Sequence, residues 1–164
     1  MNRPTNIINI ANLPETSVSS GEKFQFTKKS LSQSTGAQKI GCRIYAVQSG
    51  KRAWPYHFHY GNEEAIFILE GSGTLRQNGQ ESPVQKGDYI ALPVGPEFAH
   101  QLINTSETLL TYLCISTMIE PDICVYPDSN KVGVFAVDAP GMPVTEKTLE
   151  KFFLQNEVGY YEGE

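Results

Sequence analysis

Short apolar runs broken by glycine and proline fill the middle of the chain. Ile40 to Val47 predicts a strand, closed by a turn over Gln48, Ser49, Gly50 and Lys51. Trp54 to Tyr60 predicts a second strand, which turns at Gly61 and Asn62. Glu64 to Leu69 is β-branched and aromatic and ends in a glycine-rich turn from Glu70 to Gly73. Thr74 to Gln77 and Ser82 to Gln85 flank Asn78-Gly79, a dipeptide that tolerates positive φ and so favours a type I′ hairpin. Tyr89 to Leu92, His100 to Asn104 and Leu109 to Ser116 complete the series, separated by turns at Gly87, at Pro93 to Pro96 and at Asn104 to Glu107. In Glu64 to Leu69, Ile66 and Ile68 share one face while Ala65, Phe67 and Leu69 share the other. A strand apolar on both sides calls for a second sheet or a second subunit behind it.

The flanks are less regular. Residues 1–39 begin with Ile7 to Ile10, which suits an edge strand, and continue as polar loops around Phe24 and Phe26. They read as an arm packing on the main body. Glu120 to Ser129 is loop-like, Lys131 to Val137 suits a further strand, and Thr145 to Leu154 is the best helix candidate, with Leu149, Phe152 and Phe153 on its apolar side. The expected organisation is one domain: an arm (1–39), a barrel core (40–117) and a C-terminal extension (118–164). Regularly spaced short strands with Gly/Pro turns predict an all-β, antiparallel sandwich or barrel.

Composition narrows the function classes. The chain of 164 residues carries 13 basic and 18 acidic side chains, a net charge of -5, and has no basic cluster. Nucleic acid and anionic membranes are therefore poor partners. The three cysteines, Cys42, Cys114 and Cys124, lack paired spacing and read as buried small hydrophobes. With no signal-peptide pattern and no long apolar run, the expectation is a cytoplasmic protein.

The chain has three histidines, and two are one residue apart. On a strand His57 and His59 share a face. Glu63 and Glu64 follow the turn, and strand parity alone does not choose between them. His100 comes from a different hairpin. Three imidazoles and a carboxylate suit a divalent Mn, Fe, Co, Ni, Cu or Zn ion and are too nitrogen-rich for Mg or Ca.

These residues resemble the cupin family. Gly50, His57, His59, Glu64 and Gly71 look like its first motif, G-x5-H-x-H-x3,4-E-x6-G, with Gly50 one residue too far upstream. The spacing from His59 to Gly71 selects Glu64 over Glu63. Gly87, Pro93, Gly95, His100 and Asn104 look like the second motif, G-x5-P-x-G-x2-H-x3-N, with two extra residues before His100. The resemblance covers about residues 40–117. It implies a jelly-roll barrel (a double-stranded β-helix), commonly homodimeric, holding one divalent metal through His57, His59, Glu64 and His100. The wider stretch is similar to compact bacterial cupins labelled as sugar-phosphate isomerase-like or related to polyketide cyclisation.

The implied activity is isomerase-like, cyclase-like or oxygenase-like chemistry on a small molecule. The alternative is a binding or sensing cupin without turnover, because no second general base stands out. Parity points Tyr56, Phe58 and Gln101 away from the ligands. Trp54 suits sheet packing. Arg43, Tyr45 and Arg76 are able to meet an anionic substrate, although a solvated face or surface pair is the commoner role for each. Asp88 reads as a turn residue.

Overall fold

The computed structural model describes residues 4–136 and 149–164. Thirteen strands form three sheets among these residues. A six-stranded sheet runs in the order β1 (Thr16–Ser20), β2 (Phe24–Ser30), β3 (Ile40–Val47), β10 (Leu110–Thr117), β5 (Glu64–Glu70) and β8 (Tyr89–Leu92). Facing it are a sheet of β13 (Leu149–Leu154), β12 (Lys131–Ala136), β11 (Asp122–Tyr126) and β4 (Phe58–His59), and a sheet of β7 (Gln80–Gln85), β6 (Ser72–Gln77) and β9 (His100–Ile103). The strands of each sheet pair antiparallel, and the arrangement is a double-stranded β-helix. No helix among the described residues is long and apolar enough to cross a membrane.

The strands follow the alternation of the sequence. Register pairs the inner-face residues in rows across β2, β3, β10 and β5. The first row is Phe26, Val47 and Leu110; the next is Lys28, Tyr45, Tyr112 and Ile68; then come Ser30, Arg43, Cys114 and Ile66. The last row is Gly41, Ser116 and Glu64. The inner face thus passes from an apolar core to a polar end. Phe26, Val47, Ile68 and Leu110 are buried in the core, while Glu64 closes the polar row.

Several expectations are corrected. The segment at Ile7 to Ile10 is no edge strand: Ile10–Asn12 is a 3-10 turn, with the Asn9 side chain accepting from the Ala11 N–H. The arm adds two strands to the main sheet, because β2 pairs with β3 from Phe26 to Ser30 and with β1 on its other side. Asp122–Tyr126 is a strand, framed by Pro121 and Pro127, whose alternation is carried by β-favouring Ile123 and Val125. The helix expected at Thr145 to Leu154 is a strand over Leu149–Leu154, where pairing with β12 overrides a weak helical pattern. Residues 145–148 and Val137 lie outside the described residues. The histidine segment is regular only at Phe58–His59, since Pro55 has no N–H to give a ladder. Among the described residues nothing closes over the outer face of β5, where Phe67 is 39% exposed.

Two motif residues hold the loops. Gly71 has φ 83°, and a Cβ there would stand 2.4 Å from the Leu109 carbonyl oxygen, so only glycine fits. Asn104 is fully buried. Its amide donates to the Val47 and Thr108 carbonyls, and its side-chain oxygen accepts from the Ser106 N–H and hydroxyl. Its own carbonyl accepts from Gly50 N–H, joining the two motifs. The expected hairpin is present, with Asn78 at φ 46° and Gly79 at φ 74°. Asn104→Ala leaves several of these groups unsatisfied, each costing about 1–3 kcal/mol. It is expected to lower the chemical-denaturation midpoint at an unchanged slope.

Candidate metal centre

His57 and His100 face each other across a reciprocal backbone bridge. The His57 N–H donates to the His100 carbonyl at 3.1 Å and the His100 N–H returns to His57 at 2.8 Å. That pairing sets the two rings 4.6 Å apart. His59 follows two residues along on the same face. Glu64 arrives from the opposing sheet, as the first residue of β5. Its Oε2 lies 3.7 Å from His57 Nε2, 3.6 Å from His59 Nε2 and 3.4 Å from His100 Nε2. Glu63 is exposed.

The outward nitrogens are all occupied. His57 Nδ1 meets the Pro55 carbonyl at 2.8 Å, and His100 Nδ1 meets the Phe98 carbonyl at 3.0 Å. A carbonyl has no proton to give, so each Nδ1 must donate. His59 Nδ1 lies 2.6 Å from Asp122 Oδ2, and the other Asp122 oxygen accepts from Gly61 N–H. In the neutral rings all three Nε2 lone pairs then point inward at a carboxylate oxygen. Four acceptors sharing one focus are satisfied by a cation. Ligand atoms about 2.1 Å from one ion stand about 3.0–3.4 Å apart at ordinary bond angles. Two sets of ligand atoms each lie within 4.8 Å of one another, His57 with Glu64 and His100, and His57 with His59 and Cys124, and either set is able to hold a metal ion.

Charge follows the same geometry. Burial pushes the His57 pKa down and keeps it neutral. Burial opposes the Glu64 carboxylate as well, but an imidazole here that takes up a second proton donates to it and pairs with its charge, which holds Glu64 ionised well below the usual range. For His59, burial is outweighed by the Asp122 bond and the carboxylate charges, and the pKa is raised.

Asp122 was not among the residues singled out from sequence. It lies 63 residues from His59 in a segment that reads as a loop. Only the pairing of β11 with β4, with Cys124 opposite His59, brings it there. Cys124 is buried as expected, yet it also groups with His57 and His59 closely enough to share an ion. Burial pushes its thiol up to about 12, which keeps the proton on sulfur. Tyr126 stacks on His57, with centroids 6.0 Å apart at 21°.

A cavity of about 260 Å³ opens beside His57, His59 and Glu64. Lys28, Arg43, Tyr45 and Trp54 line one side, and Tyr126 and Phe152 the other. Arg43 and Tyr45 are therefore inside, not on a solvated face. Arg76 is outside: it grips both oxygens of Asp128 at 2.6 and 2.8 Å and lies 4.0 Å from the Tyr56 ring centroid. Tyr56 and Phe58 pack with Ala99 on the other face of the histidine segment. Gln101 does not face solvent. It is buried, its amide donating to the Trp54 carbonyl and its oxygen accepting from Arg52. Asp88 accepts from Gln85 N–H and is a turn residue.

The cupin domain model matches residues 43–116, the stretch that holds both histidine segments and Glu64. Residues 43–116 form a cupin domain. The chain is similar to an uncharacterized protein of Methanocaldococcus jannaschii, 38% identical over 60 residues, covering 37% of this chain and 46% of that protein. The quercetin 2,3-dioxygenase of Bacillus subtilis is 25% identical over 95 residues, covering 56% of this chain and 28% of that enzyme. The chain thus spans half or less of the length of these curated relatives. A solved cupin-superfamily sugar phosphate isomerase of Silicibacter pomeroyi superposes with a TM-score of 0.73 at 18% identity, over 87% of this chain and 99% of that one. At that identity the likeness concerns the fold.

Asp122→Asn, which weakens the acceptor behind His59, is expected to lower metal affinity about 10- to 100-fold, read by competition with a chromophoric chelator. Burial opposes the Asp122 charge, but the bonds from His59, Asn62 and Gly61 hold its pKa below the ordinary value. The unfolded chain therefore takes up the proton first as pH falls. The contribution of Asp122 to the stability of the metal-free protein is expected to hold above about pH 4 and decline below it, so that Asp122→Asn has a shallower limb in that range.

Proposed function

We propose that the protein binds one divalent transition metal through His57, His59, Glu64 and His100 and acts on a small molecule in the adjoining cavity, by isomerase- or cyclase-type chemistry. The observation that carries this reading is the convergence of three Nε2 atoms on Glu64 Oε2, each imidazole held by an acceptor behind it. When bound, such a metal supplies Lewis-acid polarisation of a substrate oxygen. The chain supplies the rest. Aromatic walls limit water, and Tyr126, whose pKa is raised by burial, offers a neutral O–H donor beside His57. The sugar phosphate isomerase with the same fold supports isomerase chemistry. The quercetin dioxygenase relative supports an oxygenase reading of the same centre.

A binding module without turnover is the second reading. It is favoured by the cavity's few free bases: the carboxylate of Glu64 is a proposed ligand, and the Cys124 and Tyr126 protons are held by burial. We further read the chain as a cytoplasmic homodimer whose seam covers the outer face bearing Phe67, Tyr89 and Ile115. Sedimentation equilibrium is expected to give twice the chain mass, and Phe67→Glu to return the monomer.

Protein purified without added metal is expected to hold about one equivalent by elemental analysis. His57→Ala and His100→Ala are expected to lose it while keeping their strand content. Unchanged metal in both variants overturns the site. Turnover of sugar phosphates, or oxygen uptake with phenolic substrates, separates isomerase from oxygenase. Ligand-induced melting shifts without turnover select the binding module.

A further inference from the structure

Strand β11 is built inside out. Its β-branched residues face away from the histidines: Ile123 is 40% exposed, and Val125 packs with Tyr56, Phe58 and Ala99. The alternate positions, Asp122, Cys124 and Tyr126, share the face turned toward the histidines. Asp122 bonds His59, and Tyr126 stacks on His57. Cys124 sits between them, directly opposite His59 in the register, and is 1% exposed. Apolar packing does not explain this face, since the strand spends its valine and isoleucine on the other one.

The Cys124 sulfur completes a donor set that opens on its own space. Donor atoms of His57, His59 and Cys124 lie within 4.8 Å of one another, as do those of His57, Glu64 and His100. A chamber of about 30 Å³ is lined by His57, Glu64 and His100 but not by Cys124. The cavity of about 260 Å³ is lined by His57, His59 and Cys124 but not by His100. Glu64 borders both. Thiolate with imidazole suits soft or borderline ions, whereas a carboxylate suits harder ones such as Mn2+. Two nitrogens and a sulfur leave the fourth position of a tetrahedral ion for a molecule in the larger cavity. A thiol that coordinates an ion gives up its proton, here to solvent.

We propose that Cys124 is a metal ligand, and that the centre has two overlapping seats that share His57 and His59. A thiophilic ion, such as zinc, cadmium or cuprous copper, takes His57, His59 and Cys124 and faces the larger cavity. A harder ion such as Mn2+ takes His57, His59, Glu64 and His100. The sulfur seat rests on the metal-centred reading for its two histidines alone. It gives the inward thiol a function, and it makes the softness of the ion decide which space the open position faces.

Cadmium added to the full-length, metal-free protein is expected to raise an ultraviolet sulfur-to-cadmium charge-transfer band that saturates at about one equivalent. The band is expected to vanish in Cys124→Ser and to persist in Glu64→Gln and His100→Ala. Mn2+, followed by the electron paramagnetic resonance of the free ion, is expected to show the reverse. Its affinity stays unchanged in Cys124→Ser and falls at least about tenfold in Glu64→Gln and His100→Ala, since even partners behind a ligand cost that much. If Cys124→Ser fails to fold, Cys42→Ser combined with Cys114→Ser leaves Cys124 the sole thiol. The band is expected to remain there, and its loss overturns the seat. No band in the wild type overturns it too, as does a band that survives Cys124→Ser but disappears in Cys114→Ser, the other thiol lining the cavity. A band lost in His100→Ala merges the two seats and overturns their separation. Mn2+ binding with no sulfur band sinks the sulfur seat and leaves the four-residue reading standing. A Cys124-dependent band in a protein that does not bind Mn2+ leaves the sulfur seat standing where that reading falls.

Discussion

Glu64 and the three histidines come from opposite walls of the barrel, and their meeting is the constraint to which the rest of the structure answers. Glu64 opens β5 in the large sheet, whereas His57, His59 and His100 belong to the facing side. Acceptors brought together in a low-dielectric interior repel one another unless a positive species joins them. The sheets must therefore be held together by something other than this cluster. The apolar rows behind it do that, together with the reciprocal His57–His100 bridge and the Asn104 clasp. The fold accepts a locally unfavourable focus because the packing around it is already determined.

Much of this was legible in the chain, for identifiable reasons. Glycine and proline mark the turns, so most central strands could be placed, and Asn78-Gly79 fixed its hairpin through backbone preference alone. The pairing of His57 with His59 is a parity argument that any strand satisfies. Glu64 and His100 needed the cupin spacing, which encodes distances across turns that parity does not reach. The two extra residues before His100 form part of the 3-10 turn at Pro96–Phe98, and Phe98 supplies the carbonyl that holds His100.

What was illegible depends on register between remote strands. Asp122 and Tyr126 reach the histidines only because β11 lies against β4, and nothing local announces that pairing. β11 and β13 were misread because their flanks resemble loops or a helix, while their partners lie elsewhere in the chain. Arg43 illustrates a different failure. Its strand position is clear, but charge argues for the outside, whereas Arg43 lies at the polar end of the inner face, beside the cavity. Where a local rule breaks in this way, a functional cause is a reasonable first explanation.

The three imidazoles are secured in two different ways. His57 and His100 each lean on a carbonyl two residues upstream, so their proton placement is written into the main chain and survives any change of neighbouring side chain. His59 alone depends on a side chain, Asp122. Evolution therefore has one dial on this centre rather than three. Change in the donor strength of the proposed centre has its simplest route through position 122, while His57 and His100 keep their proton placement as long as the backbone does.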